Sequence, residues 1–221
     1  EIIGGEVHIS NIRNLQLEDL LSRPSIKTDS AAVQKYIKNG VVLVTCAGGS
    51  IGAEIVRQVA MFNPNKIILL DKGENGVFAI ERELVDERNF HNEVPVICDI
   101  RDRDKVFKIF DEYKPDVVFH TAAHKHVPLM ESNPDEAVTN NIFGTKNLLD
   151  AAVKYGVGRF VNISTDKAVD PTSIMGASKR VTEKMLQYYA KDNPKAVFTS
   201  VRLGNVLGSA GSVIEVFKRQ I

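Results

Sequence analysis

Cysteine is scarce in this 221-residue chain. The two present, Cys46 and Cys98, are far apart and lack the spacing of a zinc site or a redox pair, which argues against a disulfide framework and for a reducing compartment. Excess charge of either sign is missing too. Lys plus Arg and Asp plus Glu number 28 each, so the balance suggests neither a nucleic-acid nor an anionic-membrane partner. No apolar run approaches the length of a membrane span, and no signal-peptide pattern opens the chain. A soluble, cytoplasmic domain that makes no membrane contact itself is therefore expected. Internal repeats and low-complexity segments are also absent. With 43% apolar residues, the chain can bury one sizeable core.

What is present begins at Val41-Val42-Leu43-Val44-Thr45, which runs into Cys46-Ala47-Gly48-Gly49-Ser50-Ile51-Gly52 and then Ile55, Val56, Val59 and Phe62 at helical spacing. This reads as strand, tight turn and helix. A helix start leaves backbone N–H groups without intrahelical acceptors and carries the positive end of the dipole, so Gly49, Ser50 and Ile51 form a candidate phosphate cradle. The alternative is a glycine turn that binds nothing, but the strand before it and the helix after it favour a dinucleotide site. A second strand, Lys66–Asp71, ends in a carboxylate 19 positions beyond Gly52. That is close to the spacing at which an acidic side chain accepts from the adenosine ribose. A carboxylate there repels a 2′-phosphate and favours NAD over NADP, an inference weakened by Lys72 next door. The blander account of Asp71 is a cap for the helix beginning near Glu74.

A third strand, Val94–Cys98, leads to Asp99, placed to reach the adenine amino group, with Ile100 beside it. Asp102 caps the helix that follows, which Lys114-Pro115 closes. The fourth strand, Asp116–His120, runs into Thr121, Ala122 and Ala123, small enough for a dinucleotide to pass over, and then Lys125 and His126, placed towards a substrate. His120, His124 and His126 have no acidic or cysteine partner at ligand spacing, so no metal is expected. Asn133-Pro134 starts a long helix, with Asn as its cap, that Gly156 ends. Its polar residues Asn140, Asn141 and Thr145 mark a face toward the cofactor or the sheet end. A fifth strand, Arg159–Ser164, precedes Thr165-Asp166-Lys167. Met175 and Lys179 share one face of the next helix, and a sixth strand, Ala196–Arg202, follows. Such alternation implies parallel strands joined by right-handed crossovers. Ser30–Lys38 reads as a short amphipathic helix, the leucines between Leu15 and Leu21 as a docking arm, and Val213–Phe217 as part of a terminal helix.

Ser164-Thr165-Asp166-Lys167, Met175-Gly176-Ala177-Ser178-Lys179, Lys125-His126-Val127-Pro128-Leu129-Met130 and Arg202-Leu203-Gly204-Asn205-Val206-Leu207-Gly208-Ser209 together resemble the extended short-chain dehydrogenase/reductase superfamily. Within it, the chain resembles nucleotide-sugar 4,6-dehydratases of the capsular-polysaccharide type, which act on UDP-N-acetylglucosamine. The resemblance implies a doubly wound parallel sheet of order 3-2-1-4-5-6. It also implies hydride removal from C4 of the sugar to NAD, loss of water across C5 and C6, and hydride return at C6. By the same resemblance Lys167 is the C5 base, Asp166 the acid for the departing hydroxyl, and Thr165 the partner of the C4 oxygen. Lys179 binds the nicotinamide ribose, Ser164 and Asn140 join the cofactor contacts, and Asn205 joins Lys125 and His126 on the substrate. An acid aspartate and a base lysine near pH 7 both require perturbed pKa values. The expected division is an arm over 1–39, the NAD-binding domain over 40–204 and the start of an incomplete substrate lobe over 205–221. Relatives also imply a homodimer packed through 133–155 and 173–190.

Two departures stand out. Met175 occupies the position where most of the superfamily carries a tyrosine base, and a thioether takes no proton; its plain reading is core packing. Cys46 occupies the first position of the family's Gly-x-x-Gly-x-x-Gly turn, predicting weaker cofactor affinity. Asp166 and Lys167 also have a bland reading, a surface ion pair worth little. Rival functions are a nucleotide-sugar epimerase on the same fold and a dinucleotide-binding fragment without catalysis.

Overall fold

The computed structural model describes residues 29–206. Its six strands, β1 (Val41–Thr45), β2 (Lys66–Asp71), β3 (Glu93–Ile97), β4 (Val117–His120), β5 (Arg159–Thr165) and β6 (Val197–Leu203), form one sheet in the order β3-β2-β1-β4-β5-β6. Every pairing is parallel, as the alternation predicted, and the doubly wound sheet that the resemblance implied is the architecture observed. The docking arm expected around Leu15–Leu21 and the terminal helix expected around Val213–Phe217 lie outside the described residues. The helices described are α1 (Ser30–Ile37), α2 (Ser50–Ala60), α3 (Glu74–Arg82), α4 (Arg103–Tyr113), α5 (Val127–Ser132), α6 (Pro134–Glu136), α7 (Thr145–Lys154) and α8 (Ile174–Asp192).

Period-2 alternation along the strands feeds two cores. Leu43, Ile68, Leu70 and Val118 face one cluster with Phe110, Leu148, Phe160 and Leu186. Val42, Val44, Ile67 and Leu69 face the other, with Val56, Val59, Val77 and Ile80. Strands apolar on both faces are what a sheet covered by helices on both sides requires. Each fully buried branched side chain contributes about 1.5–3 kcal/mol.

Local chemistry sets the boundaries. Asp102 accepts from the Lys105 amide at 3.0 Å and starts α4, and Lys114 in the left-handed region ends it before Pro115. Gly156 at φ +74° stops α7 as expected. The long helix expected from Asn133 needs correction. Asn133 does not cap it with its side chain; its Nδ2 donates instead to the Leu129 carbonyl at 2.8 Å, closing α5, a helix the periodicity did not reveal. Between α6 and α7 the chain runs as a π-helix over Ala137–Gly144. A π segment turns residues off the α-helical stripe, and here Asn140 and Asn141 are both buried.

Candidate functional site

The carboxyl end of β1 turns through Cys46, whose φ of +51° lies in the left-handed region that favours glycine. Its carbonyl then packs against the start of α2. A Cβ at Gly52 would lie 2.0 Å from the Cys46 oxygen, so only glycine lets helix and strand approach this closely. The first intrahelical bond runs from the Ala53 amide to the Gly49 carbonyl at 2.8 Å. The preceding amides of Ser50, Ile51 and Gly52 therefore belong to the first turn, which has no side-chain cap, and such a turn suits an anion.

Asp71 is fixed beside this turn. Its Oδ2 accepts from the Gly48 amide at 3.1 Å and its Oδ1 from the Gly73 amide at 3.0 Å. Gly73, not Asp71, is the N-cap position of α3. An open cleft of about 390 Å³ continues from here, lined by Cys46, Asp71, Lys72, Asp99, Ala122 and Asn140 among others. It brings together six residues expected at a cofactor, namely Asp71, Asp99, Ile100, Ala122, Ala123 and Asn140. Cys98, buried and with its thiol pKa pushed up to about 11 by desolvation, and His124 join them without having been foreseen. A glycine cradle, a strand-end carboxylate and a cleft of this kind fit a dinucleotide. Burial, then the nearby Asp71 carboxylate, likewise pushes the Cys46 thiol up to about 11, which keeps it protonated.

Asp99 is less available than its position suggested. Arg101 donates to both its oxygens, with Nη2 at 2.7 Å, and holds the carboxyl below its usual range. Arg101 also pairs with Glu136, which contacts His124 at 3.3 Å. So His124 does have an acidic neighbour, one that sequence spacing hid. His120, by contrast, is buried, while Lys125 and His126 are exposed. Among the described residues, no group of three or more His, Cys, Asp or Glu side chains is arranged to hold a metal ion.

His120 anchors a buried relay. Thr145 donates its hydroxyl to the Asn141 carbonyl at 2.5 Å, so at 2.9 Å it accepts from His120 Nε2–H. That leaves His120 Nδ1 to accept from Thr45 at 2.9 Å, while Thr45 Oγ1 accepts from the Thr121 and Ala122 amides at 3.1 and 3.2 Å. The relay locks the end of β1 to the loop after β4. Desolvation, and behind it the Lys179 charge, holds the His120 pKa down to about 3. The unfolded chain thus takes up a proton below about pH 6.5 that the folded state refuses until about pH 3. Stability is full above pH 6.5 and falls on acidification, by about 2 kcal/mol from this group between pH 6.5 and 5. Denaturant titrations at several pH values should show this slope, and His120→Asn should flatten it; an equal slope in the variant would refute the assignment.

Asn141 knits the next layer. Its Oδ1 accepts from the His124 amide at 2.8 Å, and its Nδ2 donates to Ser178 Oγ at 3.0 Å. It thereby joins the π-helix, the β4 loop and α8. Ser173 caps α8 by accepting from the Gly176 amide at 3.1 Å. A Cβ at Gly176 would fall 2.5 Å from the Lys167 carbonyl, so α8 rests directly on the segment after β5. Met175 is buried with Met130 and Ala137, as core packing predicts. Lys179 is also buried, at 5% exposure, and desolvation lowers its pKa to about 8.

Thr165, Asp166 and Lys167 sit at the carboxyl end of β5, and neither they nor Lys125, His126, Ser164 and Lys179 line the 390 Å³ cleft. The Thr165 hydroxyl donates to Asp166 Oδ1 at 2.9 Å, and Lys167 Nζ donates to the same oxygen at 3.1 Å. Both side chains of this ion pair are largely exposed, 57% for Asp166 and 44% for Lys167. The perturbation expected of an acid aspartate is therefore reversed. The Thr165 and Lys167 hydrogen bonds lower the Asp166 pKa and keep it ionised.

Residues 42–221 match the model of the family described as polysaccharide biosynthesis protein. The chain is 49% identical over its full length to the capsular polysaccharide biosynthesis protein CapD of Staphylococcus aureus, covering 37% of that protein. It is 34% identical, over 81% of its length, to a UDP-N-acetylglucosamine 4,6-dehydratase (inverting) of Campylobacter jejuni, covering 53% of it. Among solved structures, Pen from Bacillus thuringiensis matches 84% of the chain at 38% identity and a TM-score of 0.78, the match spanning 58% of that chain. A Thermus thermophilus UDP-glucose 4-epimerase in complex with NAD matches 76% at 28% identity and a TM-score of 0.62, spanning 56% of that chain. The chain belongs to the polysaccharide biosynthesis protein family, among the nucleotide-sugar dehydratases and epimerases of the extended short-chain dehydrogenase/reductase superfamily. It spans roughly a third to a half of the length of these curated relatives. Among the described residues no helix is long and apolar enough to cross a membrane.

Proposed function

We propose that the protein is an NAD-dependent nucleotide-sugar 4,6-dehydratase that converts UDP-N-acetylglucosamine to the 4-keto-6-deoxy sugar. The reading rests on Thr165-Asp166-Lys167 at the carboxyl end of β5, against which the first turn of α8 packs with Lys179 one turn further on. Strand carboxyl ends are where sheets of this kind bind ligands. Residues 40–204 form the dinucleotide domain in this reading, and a substrate lobe begins near Asn205.

The first-turn amides of α2 hold the pyrophosphate. Asp71, Asp99 and Ile100 meet the adenosine, with Asp71 selecting NAD over NADP. Thr121, Ala122, Ala123, Asn140 and Ser164 line its path, and Lys179 meets the nicotinamide ribose. NAD, when bound, supplies hydride acceptance from C4 and its return at C6. Thr165 orients the C4 oxygen and Lys167 takes the C5 proton. Asp166 protonates the departing C6 hydroxyl, for which substrate must cover the pair and raise its pKa by desolvation. Met175 takes no proton, so the C4 hydroxyl proton leaves through Asp166, Thr165 or water. Lys125 and His126 contact the nucleotide sugar. Exposed Val138, Phe143, Val181 and Tyr188 on the helical faces support a homodimer through them.

The kinship with epimerases supports a second reading, epimerisation at C4 or C5. Product mass separates them. Incubation with NAD and UDP-N-acetylglucosamine should give a product lighter by one water, whereas unchanged mass with altered configuration would establish epimerisation. The Cys46 turn gives another expected result. Cys46→Gly relieves a left-handed non-glycine residue, worth about 1 kcal/mol, and clears a side chain from the cleft. NAD should bind several-fold more tightly by calorimetric titration, and equal or weaker binding would count against the cradle.

A further inference from the structure

Glu183, one turn beyond Lys179 on α8, has no part in the chemistry above, yet only 4% of its side chain is exposed. Four hydrogen bonds from three elements converge on its carboxylate. Ser164 Oγ on β5 donates to Oε1 at 2.7 Å, and Arg202 on β6 donates through Nε at 2.9 Å and Nη2 at 2.6 Å. Arg180, on α8 itself, donates to Oε2 at 3.3 Å. Ser164 and Arg202 are register partners across β5 and β6, so the carboxylate bridges the two strands at one level.

We propose that Glu183 is a positioning residue, a buried clamp that sets the distance between Thr165-Asp166-Lys167 and Lys179. Ser164 directly precedes Thr165, and Lys179 lies four residues before Glu183 on the same helix face. One carboxylate thus ties both halves of the proposed reaction centre. Gly176 supplies the second point of contact, against the Lys167 carbonyl. Two contacts along α8 fix its tilt against the end of β5, where one would leave it free to pivot. A bidentate arginine pair is directional, and displacement of catalytic groups by about 1 Å can cost on the order of a hundredfold in rate. The inference rests on the dehydratase reading for its kinetic consequence, but not for its structural one.

The test compares wild type, Glu183→Gln and Glu183→Gln/Arg202→Gln in the whole protein. Glu183→Gln should lower kcat about 10- to 100-fold while leaving KM for UDP-N-acetylglucosamine and Kd for NAD within about threefold. Amide hydrogen exchange over 164–168 should rise at least about tenfold, with β1–β3 unchanged. The double variant removes the bidentate partner, the larger of the two counter-charges that Glu183→Gln strands, so its thermal midpoint should recover most of what the single variant loses while kcat stays low. Recovery of kcat along with the midpoint would make Glu183 a mere fold-stabilising residue and overturn the proposal. So would unchanged exchange over 164–168, or raised exchange with unchanged kcat. A wild type that turns over no nucleotide sugar would sink the dehydratase reading alone, leaving the exchange result to decide the clamp.

Discussion

On the proposed reaction, Lys179→Met should yield a protein that melts at higher temperature and loses at least 99% of its nucleotide-sugar turnover. The ammonium is buried on α8 and its pKa is depressed from 10.5 to about 8. Between those values the unfolded chain binds a proton that the folded one gives up, so stability rises with pH across that window. Below pH 8 both states are charged and the desolvation cost remains in full. At pH 7 a shift of this size opposes folding by about 3 kcal/mol. Methionine matches the length of the stem and fits beside Met175 without the charge. Since about 1 kcal/mol corresponds to 2–4 °C in a domain of this size, calorimetry at pH 7 should show a gain of several degrees, narrowing as pH rises from 8 to 10.5. A variant less stable than wild type at pH 7 would mean that the ammonium is satisfied where it sits. The expected pairing of higher stability with lost turnover is the signature of a strained functional residue.

On the proposed reaction, Lys167→Ala is expected to separate NAD binding from exchange of the C5 proton. The side chain is 44% exposed and paired with Asp166, and a surface pair contributes at most about 1 kcal/mol, so fold and NAD affinity should barely change. Exchange of the C5 proton with solvent should fall by about 10²–10⁴, the usual contribution of a positioned base. Solvent deuterium incorporation at C5, read by mass spectrometry, measures it, with NAD affinity titrated in parallel. Undiminished exchange with intact NAD binding would remove Lys167 from the chemistry. It would return the Asp166–Lys167 pair to the status of an ordinary surface contact.

Much of this architecture could be read from local pattern. β1, the turn after it and α2 announce themselves because strand period, glycines and helix period follow one another without interruption, and Asp71 falls at the expected distance. Asp102 and Gly156 act as the caps their chemistry predicts. What escaped depends on partners remote in sequence. His120 meets Thr45 across 75 positions and Glu183 meets Ser164 across 19. Asn133 has the composition of a cap, yet its amide finds the Leu129 carbonyl first. The π-helix over Ala137–Gly144 has no periodicity of its own to betray it. Asp166 was expected to have a raised pKa from the acid role that the resemblance implies, but hydrogen bonds from its neighbours Thr165 and Lys167 lower it.

The strand order β3-β2-β1-β4-β5-β6 has a bearing on how such enzymes diversify. The residues proposed to grip adenosine hang from the first three strands in chain order, and those proposed to choose a reaction hang from β5 and the helix after it. Changes at the second group can redirect chemistry while the first keeps its ligand, so one scaffold serves relatives that remove water and relatives that only invert a carbon.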